Sequence, residues 1–217
     1  MLRVFTGPDG EFGNPLGVVL DGEPADHGAR QAIATELGYS ETVFLDDVVS
    51  GELRIFTPAV ELPFAGHPMV GTAWLLAQEG NPLSVLRPPA GEVSVRHDDG
   101  RTWIAGRGEW APDAEQWEMG SAQAVDEIDP STMSRDAYCW AWADEAAGTV
   151  RARGFFPAEG IVEDEATGSA ALALCVALDR SIEVHQGRGS VIHARPLGDG
   201  RAEVGGEVVL DEARELG

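Results

Sequence analysis

The chain has 217 residues, of which 43% are hydrophobic, and its formal net charge at pH 7 is −22. This size and composition predict a globular protein with a substantial core, arranged as one large domain or two small ones. The negative charge argues against nucleic acid or an anionic membrane as a partner. Every cationic side chain is an arginine, so a Schiff-base lysine, pyridoxal-phosphate catalysis and a Walker A loop are excluded.

Short strand-like runs bounded by Gly, Pro and Asp dominate the first hundred residues. The predicted strands are Leu2–Thr6, Leu16–Leu20, Thr42–Asp46, Glu52–Thr57, Val60–Pro63, Leu83–Leu86, Gly91–Arg96 and Thr102–Ala105. Two helices interrupt them. The first spans His27–Leu37, with Asp26 as its N-cap and Gly38 at its exit. The second is apolar, spans about Met69–Gln78 and is closed by Gly80.

The second half of the chain repeats this plan more briefly. It follows a polar, acidic stretch, Arg107–Asp136, which we interpret as a connecting segment that is helical in part, for example over Ala122–Glu127. A second apolar helix is predicted over Thr167–Leu178. The strands predicted around it are Ala137–Ala143, Thr149–Phe155, Ile182–Gln186, Val191–Ala194 and Ala202–Leu210.

Both central helices are hydrophobic on nearly every face, and such a helix must be enclosed on all sides. A strongly curved sheet around each helix meets that requirement. The sequence therefore predicts an α+β fold of two pseudo-symmetric β-rich lobes, each a curved mixed sheet or barrel around one central apolar helix. The lobes would be residues 1–106 and 107–217, with 107–136 as the connection and an abbreviated second lobe.

Two loop-to-helix segments, Phe64–Ala73 and Val162–Ala170, look like copies of each other. Aligning their Gly-[Thr/Ser]-Ala triplets places His67 opposite Asp164, each just before an apolar helix. Helix N-termini carry unpaired N–H groups and a partial positive charge. Two of them facing one seam between lobes would make a pocket for a small anion.

A third candidate is Glu41, in the stretch Gly38–Phe44, where a helix ends and a strand begins. An apolar run follows Glu41, so its side chain would lie at the rim of a dry region. Desolvation there raises a carboxyl pKa, as a group that must both take and give a proton requires. The alternatives are an exposed Glu41, a helix-capping carboxylate at Asp164 and a loop histidine at His67.

Motifs for metals and cofactors are absent from the sequence. The histidines form no H-E-x-x-H or Cys/His cluster, the Gly168–Ala170 triplet lacks a G-x-S-x-G elbow, and Gly187–Gly189 is no dinucleotide fingerprint. We therefore expect neither a metal nor a cofactor. Cys139 and Cys175 fit no disulfide motif and the N-terminus is strand-like, which predicts a cytoplasmic protein with no targeting or membrane-spanning segment.

A set of short motifs follows one another in a characteristic order and spacing. They are Val4–Thr6, Gly13–Val19, Ser40–Phe44, Leu53–Pro58, Pro63–Pro68 with Gly71–Ala73, Arg153–Phe156, Glu163–Ala170, and Gln186-Gly187 ahead of Gly189-Ser190. Together these motifs resemble the PhzF-like proteins of phenazine biosynthesis, which share the diaminopimelate-epimerase fold. The resemblance covers most of residues 1–106 and 151–210. The chain is short for this family, and the shortfall lies at about Arg107–Asp144.

The resemblance implies a cofactor-free isomerase, usually a homodimer, that acts on a small carboxylated metabolite. In the type enzyme a glutamate of the Ser-Glu-Thr motif moves a proton on trans-2,3-dihydro-3-hydroxyanthranilate. Glu41 matches that glutamate, and His67 and Asp164 match the family's pocket histidine and aspartate. The substrate-binding candidates around these three catalytic candidates are Ser40, Gly66, Gly71, Thr72, Thr167, Gly168 and Ser169.

Three functions stay open on the sequence. In a proton-shift isomerase, Glu41 would shuttle the proton, His67 and Asp164 would bind and polarise the substrate, and the Gly168 and Ser169 amides would hold its carboxylate. A two-base epimerase or racemase of an amino-acid-like compound would pair Glu41 with His67 or Asp164. A binding protein would keep the fold without the chemistry. Two-thiol epimerisation is not supported, because the N-termini of the two apolar helices carry His67 and Asp164 instead of cysteines.

Overall fold

The computed structural model describes residues 1–20, 24–211 and 213. The strands are β1 Leu2–Thr6, β2 Asn14–Val19, β3 Glu41–Asp47, β4 Glu52–Phe56, β5 Glu61–Leu62, β6 Val85–Leu86, β7 Val93–Asp98, β8 Arg101–Arg107, β9 Glu115–Glu118, β10 Ala137–Asp144, β11 Thr149–Phe156, β12 Ile161–Asp164, β13 Ile182–Gln186, β14 Ser190–Gly198 and β15 Arg201–Leu210. The α-helices are α1 His27–Leu37, α2 Gly66–Gln78, α3 Ala122–Asp126 and α4 Gly168–Leu178, and the 3-10 helices are Gly108–Trp110, Pro130–Thr132 and Pro157–Glu159. None of these helices is both long and apolar enough to cross a membrane.

The strands join into one mixed sheet with a branch. Its main path runs β5-β4-β3-β2-β1-β15-β14-β13-β11-β10-β9, while β8 leaves the path at β15 and continues through β7 to β6, and β12 pairs with β11. Three neighbouring pairs are parallel, namely β2 with β3, β11 with β13 and β9 with β10. The remaining pairs are antiparallel, so the sheet is mixed, as the sequence predicts.

The two apolar helices are enclosed by this sheet. Ten of the thirteen residues of α2 and seven of the eleven residues of α4 are buried. Helix α2 packs against β1, β2 and β8, and α4 packs against β14 and β15. Side chains of both helices belong to one hydrophobic core. The predicted fold class, an α+β arrangement of curved sheet around two central apolar helices, is therefore confirmed.

The helix boundaries follow from local chemistry. Helix α1 has the predicted bounds, because the Asp26 carboxylate accepts a hydrogen bond from the Ala29 N–H and Gly38 ends the helix at φ 65°. Helix α2 begins at Gly66, three residues before the predicted start. Its first turn contains Pro68, which is tolerated there because the first N–H groups of a helix have no intrahelical acceptor.

Two of the described strands, β9 and β12, have no counterpart among the predicted strands. Strand β9 lies inside the stretch Arg107–Asp136, for which the sequence predicts a connecting segment, and it pairs in parallel with β10 at the edge of the sheet. All four residues of β9 are exposed and three are Glu or Gln, so no alternation of polar and apolar residues marked it. Strand β12 has no predicted counterpart because it has only four residues and ends in two acidic ones, Glu163 and Asp164. Helix α3 confirms the helical part predicted at Ala122–Glu127.

The division into lobes at residues 1–106 and 107–217 stays a prediction. Hydrogen bonds of the sheet cross this boundary at β15, where Val204 pairs with Ile104 and Leu210 pairs with Leu2. The long strand β15 is therefore shared between the β1 side and the β8 side of the sheet.

The N-termini of α2 and α4 meet backbone to backbone. A Cβ atom on Gly66 would lie 2.6 Å from both the carbonyl carbon of Gly168 and the amide nitrogen of Ser169. Gly168 is similarly confined, since a Cβ there would lie 2.9 Å from the ring of Phe5. Glycine at these positions lets the two loop-to-helix segments approach closely, so the N-termini of α2 and α4 lie next to each other.

Replacing Gly66 by alanine is expected to lower the free energy of unfolding by roughly 1–3 kcal/mol, because the added methyl group meets backbone atoms that cannot move aside. Urea-induced unfolding followed by circular dichroism measures this change. The matched control is Gly120→Ala, since a Cβ at Gly120 meets nothing within 4 Å. Equal stability of the two variants would contradict the close helix contact.

Candidate active site

Three elements bring the catalytic candidates together. Glu41 is the first residue of β3, His67 lies in the first turn of α2, and Asp164 ends β12. All three residues are buried, with 6%, 2% and 4% of their surface exposed. Glu41 Oε2 lies 3.4 Å from His67 Nε2, and the side chain of Asn14 links His67 to Asp164. The three residues predicted from the sequence therefore surround one location.

Asn14, the first residue of β2, is the hub of this site. Its amide nitrogen donates to Asp164 Oδ1 at 2.6 Å and to the Ala166 carbonyl at 2.9 Å, and it lies 3.3 Å from His67 Nδ1. Its amide oxygen accepts a hydrogen bond from the Ser40 hydroxyl at 2.8 Å. A single buried side chain thus fixes groups from β12, α2 and the start of β3 relative to one another.

His67 is a neutral imidazole. Burial lowers its pKa to about 3, outweighing a backbone hydrogen bond with Pro15 that favours the charged form. His67 Nε2 and Glu41 Oε2 are buried, face each other and lack a hydrogen-bond partner among the described residues. The neutral imidazole therefore does not neutralise a negative charge on Glu41. Because the pKa of Glu41 is raised while that of His67 is lowered, Glu41 is the stronger base of the two.

The two carboxyls differ in their hydrogen bonds. Burial is the main cause that raises the pKa of Glu41 well above its usual range, the charge of Asp164 raises it further, and the neighbouring Ser40 side chain opposes the rise. Burial also raises the pKa of Asp164, against hydrogen bonds from the Thr167 hydroxyl and the Asn14 amide. Asp164 has donors on both oxygens while Glu41 Oε2 has none. The hydrogen bonds therefore favour the charged form of Asp164 more strongly than that of Glu41, so Glu41 takes up a proton more readily than Asp164 does.

The N-terminus of α4 supplies donors beside these carboxyls. The Ala171 N–H donates to the Thr167 carbonyl at 3.0 Å, so the amides of Gly168, Ser169 and Ala170 precede the first hydrogen bond of the helix. Unpaired amides and the partial positive charge of a helix N-terminus suit a carboxylate. This end of the site can therefore hold the anionic group of a small molecule.

A buried amide keeps the loop before α4 in place. Gln186 Oε1 accepts hydrogen bonds from the Thr167 backbone N–H at 3.0 Å and from the Tyr138 hydroxyl at 3.1 Å. Gln186 Nε2 donates to the Asp164 carbonyl at 3.0 Å and to Thr167 Oγ1 at 2.8 Å. Because the Gln186 amide makes all four of these hydrogen bonds, it fixes the position of the Asp164 backbone.

The carboxyls face a small cavity, which we call the inner chamber. Its volume is about 10 Å³, and its polar lining residues are Glu41, Glu159, Asp164, Thr167 and Ser169. Apolar residues, among them Leu62 and Pro112, complete the wall. This volume is close to that of one water molecule, so a substrate enters only when part of the wall moves.

Gly71 and Thr72, both predicted to bind substrate, lie farther along α2 and outside the lining of the inner chamber. A Cβ on Gly71 would lie 2.4 Å from Leu16 Cδ2 and 2.8 Å from Val4 Cγ2. The glycine at this position therefore serves the packing of α2 on β1 and β2. The predicted contact of these two residues with a substrate stays a prediction.

Three residues of the site were not singled out from the sequence. Asn14 and Gln186 stand in motifs that carried the family resemblance, Gly13–Val19 and Gln186-Gly187, and that signal could have found them. Glu159 has no comparable signal, because its surroundings, Pro157 to Gly160, read as an ordinary turn.

The cysteines lie away from the inner chamber. Burial raises the pKa of Cys139 to about 11 and that of Cys175 to about 12. Neither residue lines the chamber, so neither thiol is placed to act as a base. Within the described residues, no group of three or more His, Cys, Asp or Glu side chains could hold a metal ion.

Comparison with known proteins places this arrangement in a class. The PhzF family protein of Enterococcus faecalis, whose crystal structure is solved, superposes with a TM-score of 0.75 at 20% identity, covering 96% of this chain and 94% of that one. The trans-2,3-dihydro-3-hydroxyanthranilate isomerase of Pseudomonas chlororaphis is 31% identical over 246 residues, covering 88% of this chain and 87% of that protein. The relatives named as isomerases and the shared fold place this chain among the isomerases with the diaminopimelate-epimerase-like fold.

The family follows from a match over more than half of the chain. The model of the PhzC-PhzF family, the phenazine biosynthesis-like proteins, matches residues 2–127. The chain belongs to this family. An uncharacterized isomerase of Mesorhizobium japonicum is 46% identical over 97 residues, and this match covers 40% of the chain and 32% of that relative's length.

Proposed function

We propose that the protein is a cofactor-independent isomerase that moves a proton on a small carboxylated metabolite similar to trans-2,3-dihydro-3-hydroxyanthranilate. The observation that carries this proposal is the buried Glu41 carboxyl, 3.4 Å from a neutral His67. A carboxyl with a raised pKa in a dry chamber is suited to take and return a proton near neutral pH. The relatives named as isomerases of that compound support the choice of substrate.

In the proposed reaction, the ionised Glu41 takes a proton from one carbon of the substrate. The electron pair of the broken C–H bond enters the conjugated system, and a double bond shifts. The protonated Glu41 then returns a proton to a second carbon. Atoms and electrons balance within the substrate, so the step needs no oxidant, reductant or co-reactant.

The neighbouring groups bind and polarise the substrate. The amides of Gly168 and Ser169, which precede the first hydrogen bond of α4, would hold its carboxylate. His67 faces the Glu41 carboxyl from α2, and Asp164 anchors the Asn14 amide that sets the position of the ring. We further propose that the protein acts as a homodimer in the cytoplasm.

An epimerase is less well supported by the geometry. Two-base epimerisation places one base on each face of a stereocentre, with a carbon atom between them. Glu41 and His67 are only 3.4 Å apart, and Asp164 is held by hydrogen bonds on both oxygens. A binding protein without chemistry would not need the Glu41 and Asp164 carboxyls to converge on one chamber.

The proposal is tested by incubating the protein with trans-2,3-dihydro-3-hydroxyanthranilate in D₂O and following the reaction by ¹H NMR. We expect a product with a shifted double bond and deuterium at the newly protonated carbon when the proton on Glu41 exchanges with solvent. Deuterium at a stereocentre with inverted configuration and an unmoved double bond would indicate an epimerase instead. An unchanged substrate would contradict the proposed substrate.

A further inference from the structure

A second cavity adjoins the inner chamber, and we call it the vestibule. Its volume is about 410 Å³. Leu62, Pro112 and Glu159 line both the vestibule and the inner chamber, so these three residues form the neck between the two cavities. A ligand that reaches Glu41 from the vestibule passes Glu159.

The vestibule has apolar walls and carboxylates but no cation. The rings of Phe64 and Trp110 lie 5.5 Å apart at 55° and form much of one wall. Glu109 and Glu159 also line it, and none of its lining residues is an arginine. This surface suits the apolar part of a substrate whose reacting end lies in the inner chamber.

Glu159 is the charged group of the neck. It ends the 3-10 helix Pro157–Glu159, and its carboxyl has no ion pair or side-chain hydrogen bond in the part of the chain that the structure describes. Its charged neighbours are carboxylates. Asp136 and Asp164 both raise its pKa, and Glu159 in turn raises the pKa of Glu41.

The inner chamber independently indicates a ligand. Glu41 lines it, and its Oε2 atom is buried and lacks a hydrogen-bond partner among the described residues. A buried polar atom without a partner costs free energy, and a bound molecule can remove that cost. Ser169, in the first turn of α4, also lines this chamber, and the N-terminus of the helix favours an anion there. The negatively charged neck and the anion-binding end are therefore separate features of one path.

We propose that Glu159 is a specificity-determining residue, which admits a substrate that carries an amino group beside its carboxylate and excludes a substrate that carries a second carboxylate there. An amino group at the neck would donate to the unpaired Glu159 carboxyl. A second carboxylate would meet the half-buried Glu159 carboxyl with no cation among the lining residues to compensate. This inference rests on the proposed function, because it takes the inner chamber as the place where the substrate carboxylate and the reacting carbon bind.

The test is a binding measurement that needs no turnover. The probes are 2-aminobenzoate and benzene-1,2-dicarboxylate, which differ at one ring substituent, titrated by calorimetry at pH 8. For the unmodified protein we expect 2-aminobenzoate to bind at least about tenfold more tightly than the dicarboxylate. Glu159→Gln is expected to reduce this ratio to about threefold or less, mainly because the dicarboxylate binds better.

Glu109→Gln is the matched control, since Glu109 lines the same vestibule with 75% of its side chain exposed. Solvent screens its charge, so we expect the ratio to change by less than about twofold. A second readout uses pH. Burial, with the charges of Asp136 and Asp164, raises the pKa of Glu159 to about 7, so the selectivity of the unmodified protein is expected to fall between pH 8 and pH 6.

Three results would overturn the inference. The first is an unmodified protein that binds both probes equally or binds neither. The second is a Glu159→Gln variant, folded by circular dichroism, that keeps the full ratio. The third is a Glu109→Gln variant that loses as much selectivity as Glu159→Gln. Failure of the proposed function would instead appear as an unshifted double bond in the NMR experiment, with the binding ratios unaffected.

Discussion

Replacing Glu41 by glutamine lowers the turnover number for proton transfer by roughly 10²–10⁴-fold, the usual contribution of a positioned general acid–base. Glutamine keeps the shape of the side chain but can neither accept nor return a proton. The Michaelis constant should change little, because the Gly168 and Ser169 amides that hold the carboxylate stay in place. Initial rates of isomerisation, measured over a range of substrate concentrations, separate these two effects.

The control for this variant is Glu52→Gln, which makes the same change at an exposed position of β4. Its turnover should equal that of the unmodified protein. Circular dichroism and the denaturation midpoint establish that Glu41→Gln is folded. If the folded Glu41→Gln variant turns over within threefold of the unmodified protein, Glu41 is not the proton shuttle.

Acid should destabilise the protein through His67. Its pKa is lowered from 6.5 to about 3 on folding, so the unfolded chain binds a proton at this residue in a pH range where the folded chain does not. Stability from this group is complete above pH 6.5 and is lost as the pH falls toward 3. At about 1.4 kcal/mol per pH unit, the expected loss between pH 6.5 and pH 4 is about 3 kcal/mol.

His67→Gln removes this dependence, because glutamine does not titrate. The difference in unfolding free energy between the unmodified protein and His67→Gln should therefore shrink or change sign as the pH is lowered from 7 to 4. Buried carboxyls with raised pKa values, such as Asp164, act in the opposite direction, but they are present in both proteins. His185→Gln is the control at an exposed histidine, and parallel pH curves for all three proteins would refute the prediction.

The sequence predicted the parts of the fold that local chemistry decides. Helix α1 has its expected ends because Asp26 caps one end and Gly38 adopts a left-handed conformation at the other. The enclosure of α2 and α4 followed from their uniformly apolar composition. Strand β9 was missed because its formation depends on a distant neighbour: the polar residues Glu115–Glu118 become a strand only by pairing with β10.

The candidate site shows the same difference between residues that local sequence reveals and residues whose role depends on distant parts of the chain. Glu41, His67 and Asp164 were found because they stand at the ends of elements and within repeated or recognisable motifs. The role of Asn14 is visible only once β2, α2 and β12 are side by side, since its contacts span up to 152 residues of sequence. Glu159 reaches the neck because a short 3-10 helix turns the chain there, and no periodic pattern predicts that turn.

The shared strand β15 has a consequence for folding kinetics. Leu2 pairs with Leu210, and Thr102 pairs with Gly206, so segments separated by about two hundred and about one hundred residues must meet on one strand. Contacts of such long sequence separation slow folding, because the chain loses loop entropy before the pairing repays it. During synthesis, one edge of β1 stays unpaired until β15 has emerged from the ribosome, and the sheet closes around both central helices as a late event.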